Sequence, residues 1–445
     1  MAKDKHIIPN SKRQARQLRA ARRLFGEIGE QLNVDLSIKL WDGSIIPLGE
    51  DVTSDLLIII KDPGVITSLL RRPGLDGVIR HYIKGMIDFE GGTLLDVGVR
   101  LAFKHTRGRL KNIPKRDILK FASAFLFAPT LKPGETRGYE GDETGKPQRR
   151  TKQDDKAFIE FHYDLSNEFY ELFLGEHMVY TCAYFTDWGN SLDQAQFDKL
   201  DMICRKLRLS KGERFLDIGC GWGGLICHAA KHYGVKAHGV TLSTEQYDYA
   251  VKKITELGLD DLVTIELKDY RALDQQFDKI ASVGMAEAIG IANMDVYFST
   301  VNRLLVDKGL FLNHAIARKA KKKKRKFSSR PEQRALQKYI FPGGELDDLG
   351  HTIEGLEQHK FEIMDVEGWR EHYQLTTQLW CDRLTSNKEQ AIEIVGVEAY
   401  RIWVAYLGGV SLAFLRGSAR LYQTLASKNP KGPTKLPPSR ADLYR

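Results

Sequence analysis

The stretch FLDIGCGWGGL, residues 215–225, gathers residue types that can hold a ligand at the end of a strand. Asp217 offers a carboxylate, and Gly219, Gly221, Gly223 and Gly224 follow it. Glycine lets a chain turn tightly and lets backbone N–H groups come close to a bound molecule. A dinucleotide loop of the form GxGxxG is joined by an acidic residue about 20 positions on. Here the loop reads Gly219-Cys220-Gly221-Trp222-Gly223-Gly224, and the next strand segment ends Gly239-Val240-Thr241-Leu242-Ser243 with no acid. The Asp217 carboxylate therefore suits a cationic ligand without phosphate better than a pyrophosphate. The plain alternative is a glycine loop that only packs strand against helix. Five cysteines, Cys182, Cys204, Cys220, Cys227 and Cys381, show no CxxC or Cys/His spacing. No metal is expected from that pattern, and no disulfide scaffold; a reducing cytoplasm is the simplest setting.

Such a loop has to be presented by a sheet. RFLDIG (214–219) reads as a strand and is followed by a helix from about Gly224 to His232. KAHGVTL (236–242), the helical TEQYDYAVKKITELG, and then LVTIEL, FDKIASVGM and LFLNHAI continue the alternation. This is the pattern of an α/β, doubly wound, Rossmann-like domain with a parallel sheet, assigned to 156–430. Ligands of such sheets bind outside the carboxyl ends of the strands. A basic insertion, 318–345, opens with RKAKKKKRK, in which eight of nine residues are cationic. Residues 431–445 form a tail.

Upstream, 1–130 reads as a smaller α+β domain. LSIKLWDGSIIPLG suggests a hairpin about Asp42-Gly43, and LLIIIKD a short strand. VITSLLRRP and GVIRHYIKGMIDF carry helical spacing. Arg16, Arg19, Arg22 and Arg23 recur beside Leu18, Leu24 and Phe25, giving a basic amphipathic helix that either packs or lies on a membrane surface. The polar, glycine-rich stretch 131–155 reads as a linker, with a loop ordering over substrate as the alternative.

The whole chain has 445 residues, 67 Lys and Arg against 58 Asp and Glu, and 42% apolar residues. That balance excludes a disordered or collagen-like chain. Ile402 to Leu415 is the longest uncharged apolar stretch, too short for the roughly 18–20 residues of a spanning helix. No secretory signal is expected from the N-terminus. The excess of positive charge points to a polyanionic partner, either nucleic acid or anionic lipid.

The glycine loop resembles motif I of the S-adenosylmethionine-dependent methyltransferases. Further segments resemble one family, the cyclopropane-fatty-acid synthases and the related mycolic acid cyclopropane synthases. FHYDLSNEFYELFLGEHMVYTCAYF (161–185), GVTLSTEQ, SVGMAEAIG, HAIA, KYIFPGG, and Tyr373 with Trp380 follow the family's order across about 158–425. The resemblance implies a class I methyltransferase domain, with the small N-terminal domain of the longer bacterial members. It implies addition of the methyl carbon of S-adenosylmethionine to a cis double bond in a phospholipid acyl chain. That chemistry needs the alkene held in line, a carbocation shielded by aromatic faces, and a base to close the ring. In this family the base is a bound bicarbonate.

Carried over by that resemblance, the bicarbonate cage is Cys182, Glu287, His314, the backbone at Ile316, and Tyr373. Thiol, imidazole, phenol and N–H can donate to an oxyanion, while Glu287 accepts. Each also has a plain reading as a packed side chain. The cofactor site would gather Tyr180, Thr181, and Asp217, Gly219, Cys220, Gly221, Trp222 and Gly223. Thr241 and Gln246 would serve its ribose and amino-acid end, and Leu242 would also belong to the cofactor site. Asp269 and Tyr270 would lie near adenine, unless they form an ordinary surface turn. The implied partners are unsaturated phospholipids in an anionic membrane surface and a second copy of the chain, with no nucleic acid. The implied location is cytoplasmic, peripheral on the inner membrane.

The sequence departs from the family in three places. Ala288 follows Glu287 where many members carry His, Val410 replaces a C-terminal Cys, and the basic insertion is long. These bear on the final product more than on methyl transfer. A rival product is a methyl-branched unsaturated chain without a ring. An RNA methyltransferase would interleave aromatics with its basic patch, and RKAKKKKRK has none before Phe327. A non-catalytic lipid-binding protein is the remaining alternative.

Overall fold

Alternation of apolar and polar residues around Asp42-Gly43 does form a hairpin. β1 (Ser37–Lys39) and β2 (Ile45–Pro47) pair antiparallel, and Gly43 takes a φ of 84° in the turn. The computed structural model describes residues 12–102, 121–125, 165–320, 331–342, 344–429, 431–434 and 436–444. The expected linker, and the basic run from 321 onward, lie outside the described residues. The chain divides into two units.

In the first unit, β3 (Leu57–Ile60) runs parallel to β1, and β4 (Ile87–Glu90) pairs antiparallel with β3. The four-stranded order is β2-β1-β3-β4. Helix Lys12–Leu32 buries Leu18, Ala21 and Leu24 and leaves its arginines exposed, as a packing helix does. Arg22 of that helix pairs with Asp42 at 2.8 Å. GVIRHYIKGMIDF is not one helix. Helix Leu75–Ile83 stops, Gly85 turns the chain at φ 69°, and the following residues become β4. The period-3.6 pattern ran on because a short buried strand adds apolar residues in a compatible phase.

Residues 331–339 and 395–412 also belong to this unit, although the sequence reading placed them in the larger domain. The helical run Lys388–Leu415 is interrupted at Gly396 (φ 80°, ψ 161°), next to the boundary between the units. Beyond the break, Arg401 donates to the Tyr82 carbonyl at 2.9 Å, pairs with Asp88 at 2.9 Å, and lies 5.0 Å from the Tyr82 ring centroid. An apolar helix face shows that it needs cover, not which core supplies it.

The second unit is built on β5 (Arg214–Ile218), β6 (Lys236–Thr241), β7 (Val263–Leu267), β8 (Phe277–Val283), β9 (Leu305–Arg318), β10 (Asp347–Asp348), β11 (Glu362–Gly368) and β12 (Ala419–Ser427). Their order is β11-β12-β9-β8-β5-β6-β7, with β10 on the end of β9. Strands β9, β8, β5, β6 and β7 are parallel as expected. The sheet as a whole is mixed, because β12 pairs antiparallel with β9 and β11 antiparallel with β12. These strands escaped the sequence reading because FEIMDVEG and ARLYQTLAS lack the apolar run of a central parallel strand.

Side chains alternate across β5. Phe215 packs with Ile203, Leu207 and Leu225, while Leu216 and Ile218 pack with Ile280, Val301 and Phe311 on the other face. Asp217 therefore shares the Phe215 face, toward helix Leu192–Leu207. Strand order reverses between β5 and β8, which opens a crevice at their carboxyl ends. The tail is attached to this unit: Leu443 is buried, and Arg440 pairs with Asp365 at 2.8 Å. Among the described residues, no helix is long and apolar enough to cross a membrane.

Arg401→Ala removes a cation that satisfies both a carbonyl and a carboxylate. It should lower stability by about 1–3 kcal/mol, read as an earlier urea midpoint of the full chain. An unchanged midpoint would show that 395–412 contributes nothing to the first unit.

Candidate active site

β5 ends at Ile218, and the chain then turns through Gly219 (φ 77°), Gly221 (φ 53°) and Gly223 (φ 79°). The N–H groups of Gly219 and Cys220 both donate to the Val240 carbonyl at 3.0 Å, which ties the loop to β6. A Cβ on Gly219 would sit 2.9 Å from Met285 Sδ, whereas one on Gly221 would meet nothing within 4 Å. The loop is thus tight at one end and open in the middle. Trp222 donates from its indole to Asn167 Oδ1 at 2.7 Å, and its ring lies 5.0 Å from that of Tyr170. Cys220 is buried, and burial pushes its thiol well up, so it packs rather than reacts.

Asp217 is 3% exposed, and its Oδ1 has no hydrogen-bond partner among the described residues. Burial pushes its carboxyl up to about 7, against the pull of Lys199. A buried acceptor left unsatisfied calls for a donor from elsewhere. At the end of β6, buried Thr241 donates to Gln246 Oε1 at 2.8 Å and accepts from the Ser243 N–H at 3.2 Å. Leu242 between them is half-buried. The Lys268 N–H bonds the Thr241 carbonyl at 2.9 Å, which brings 269–270 to the same edge. There Asp269 holds the Arg271 guanidinium, with contacts of 2.9 and 2.6 Å, and accepts the Arg271 N–H. Tyr270 is buried, with its ring 6.0 Å from Tyr297, so this is not an ordinary surface turn.

The Tyr180 ring lies 5.8 Å from Tyr170 and 5.3 Å from Trp380. Next to it, Thr181 Oγ1 accepts from the buried Lys199 ammonium at 2.9 Å. Cys182 is fully buried, and burial pushes its thiol far above the usual range. It stays a thiol and donates to the Ala183 carbonyl at 3.1 Å. One residue links this segment to two other predicted site residues. The Trp369 carbonyl lies 3.9 Å from Cys182 Sγ and accepts the Tyr373 N–H at 3.1 Å, and its ring meets His314 edge-on at 5.6 Å. The Tyr373 ring packs on Phe414 and Trp380.

Glu287 sits on the short helix Ala286–Ile289. Its Oε1 accepts the Ile316 N–H at 2.5 Å, while its Oε2 is buried without a partner among the described residues. Burial pushes the carboxyl up to about 7, and the Ile316 N–H pulls the other way. The Ile316 amide was expected to face a bound oxyanion, and it faces Glu287 instead. The reason is geometric: β8 pairs with β9 as far as Val283 and His314, and the helix that begins at Ala286 sets Glu287 beside the Ile316 amide. His314 is 1% exposed, its Nδ1 lies 3.0 Å from the Gln423 amide, and its Nε2 has no partner among the described residues. Burial holds its pKa well below the usual value, so the ring is neutral. The indole N–H groups of Trp369 and Trp380 are likewise buried and unpartnered. Unsatisfied donors and acceptors thus accumulate at one end of one sheet, where a polar ligand would satisfy both kinds. A cavity of about 20 Å³, above the roughly 10–15 Å³ that a water needs, lies beside Glu287 and is lined by Asn313, Ala315 and Thr424, on the face of β9 and β12 opposite His314.

Sequence reasoning missed Lys199, Lys206, Trp369 and Gln423. The first two carried a usable signal: in QAQFDKLDMICRKL they fall in phase with Leu200, Ile203 and Leu207, where a lysine is out of place on a core face.

A family model described as mycolic acid cyclopropane synthetase matches residues 150–424. A probable fatty acid methyltransferase of Pseudomonas putida is 35% identical over 423 residues, covering 94% of this chain and 98% of that protein. The cyclopropane-fatty-acyl-phospholipid synthase of Escherichia coli (strain K12) is 39% identical over 267 residues, 60% of this chain and 66% of that one. The structure of mycolic acid cyclopropane synthase CmaA1 complexed with SAH and CTAB matches with a TM-score of 0.59 and 31% identity, over 61% of this chain and 98% of that one. Glycine loop, orphaned carboxylate, sheet order and these likenesses agree, and the chain belongs to the mycolic acid cyclopropane synthetase family as an S-adenosylmethionine-dependent methyltransferase.

Proposed function

We propose that this enzyme adds the methyl carbon of S-adenosylmethionine to the cis double bond of an unsaturated phospholipid chain and closes the adduct to a cyclopropane. Bound bicarbonate is proposed as the proton acceptor. One observation carries this reading. His314 Nε2 and Glu287 Oε2, a ring nitrogen and a carboxylate oxygen both buried without a partner among the described residues, lie at the same end of the sheet, with Cys182 and Tyr373 joined to His314 through Trp369. A small anion with its own hydroxyl satisfies both kinds of group.

Asp217 and the open middle of the glycine loop would hold the cofactor, with Thr241 and Gln246 beside it. When bound, the cofactor supplies an electrophilic methyl carbon. The chain's own work is to keep water out and positive charge comfortable. Tyr170, Tyr180, Phe173 and Trp380 form a mutually packed aromatic wall, with centroids 5.3–6.4 Å apart. Such faces attract a cation more strongly once it is desolvated. Glu287 would accept from the hydroxyl of the anion, and the His314 imidazole would donate to its oxygen. A second reading is the methyl-branched unsaturated product without a ring. The near full-length likeness to a probable fatty acid methyltransferase favours it. The lipid partner is proposed to be reached at the cytoplasmic face of the inner membrane, with the run RKAKKKKRK as a docking surface. Each such cation near an anionic bilayer is worth about 1 kcal/mol, screened by salt. A homodimer is proposed from the family resemblance alone.

NMR of lipids from cells that lack cyclopropanes, but express this enzyme, should show cyclopropane protons and loss of the olefin. A retained, methyl-substituted double bond would decide for the second reading. Glu287→Gln should leave cofactor affinity intact and lower turnover by about 100-fold or more. Since the ionised carboxylate is the accepting form, wild-type turnover should fall as pH drops through about 7. Normal turnover of the variant would remove Glu287 from the reaction. Replacing the cations of 318–326 with Gln should weaken binding to anionic vesicles and flatten its salt dependence, and unchanged binding would discard the docking role.

A further inference from the structure

A row of side chains crosses three strands beneath His314. The register sets Glu367 of β11 opposite Gln423 of β12, and Gln423 opposite His314 of β9. Lys206 enters this row from helix Leu192–Leu207. It is 2% exposed, donates to Gln423 Oε1 at 2.6 Å, pairs with the Glu367 carboxylate, and lies 5.0 Å from the Trp369 ring centroid. We propose that Lys206 and Gln423 are positioning residues that lock His314 as a neutral imidazole with its proton on Nε2. His314 can then only donate to the anion of the site.

The argument follows from donor and acceptor inventories. An ammonium has three donors and no acceptor, so Gln423 must turn its oxygen toward Lys206. Its NH₂ is left facing His314 Nδ1 at 3.0 Å. An NH₂ cannot accept, so Nδ1 must carry the lone pair and Nε2 the proton. That proton sits on the atom that has no partner among the described residues. Charging the ring would set N–H against N–H beside a buried ammonium. The partner of the second nitrogen decides the tautomer, as it does for metal-bound histidines. Glu367 balances the charge of Lys206, so the relay adds no net charge beneath the site. His314 is thereby removed as a candidate base, and the proton must leave through another group.

This inference rests on the anion-site reading for its purpose, but the lock can be tested without it. Histidine-selective ¹⁵N labelling of the full chain, with His314 assigned by loss of its signals in His314→Asn, should show a neutral ring protonated on Nε2 at neutral pH. Gln423→Glu offers Nδ1 a carboxylate and should move the proton there or charge the ring, with turnover falling about 100-fold or more. Lys206→Met frees Gln423 to flip and should give mixed tautomers with a smaller loss. A wild-type ring that is charged, or protonated on Nδ1, overturns the proposal even if neither variant folds. So does a Gln423→Glu enzyme with a shifted proton and full turnover. A lock seen by NMR in an enzyme indifferent to removal of bicarbonate would instead overturn the anion-site reading.

Discussion

Two carboxylate oxygens buried without donors among the described residues, Asp217 Oδ1 and Glu287 Oε2, set the terms for the rest of the second unit. An unpaired buried charge is among the least favourable things a fold can hold, and the usual escape is to neutralise it. Both groups are pushed to about 7 by burial, so each is poised between its two forms near neutral pH. A ligand that brings donors or positive charge tips that balance. Strained electrostatics of this kind is expected where binding, not stability, shaped the residues.

The sheet explains how such groups are held in place. Asp217 is the penultimate residue of a strand flanked on both sides by parallel neighbours, so its backbone cannot shift to relieve it. Glu287 is anchored by the Ile316 N–H and by its own carbonyl, which accepts the Glu345 N–H at 3.1 Å. The antiparallel pair β12 and β11 widens the sheet on the side of His314. Without that extension, nothing would stand opposite His314 on that side to fix which nitrogen carries its proton.

How much of this was legible depended on distance along the chain. The glycine loop and Asp217 were legible because strand, turn and helix are contiguous, and their chemistry is local. Cys182, His314 and Tyr373 were nameable only through resemblance, since about 190 residues separate the first from the last. Trp369, which touches all three, carries no signal of its own: a buried Trp before a helix looks like core. Gln423 and Glu367 were invisible for a stricter reason. Their roles exist only in the register of strands that the sequence pattern did not reveal, and a slip of one residue would turn every side chain to the other face. The helix break at Gly85 and the allegiance of 395–412 were hidden likewise, because apolar periodicity reports a buried face without its partner.

Charge accounting then separates the two lysines of helix Leu192–Leu207. Burial lowers Lys206 too, but the Glu367 carboxylate within its reach pulls the other way and cancels its charge. Lys199 instead donates to the Thr181 hydroxyl, and burial lowers it to about 7. A permanent ammonium beside Asp217 would compete with any cationic ligand for that carboxylate. A lysine that readily gives up its proton does not, and a hydroxyl partner costs little to keep when it does. With His314 neutral and Lys206 cancelled, the carboxylate at the end of β5 is left as the group with the strongest claim on a positive charge. The sulfonium of the family's cofactor carries such a charge.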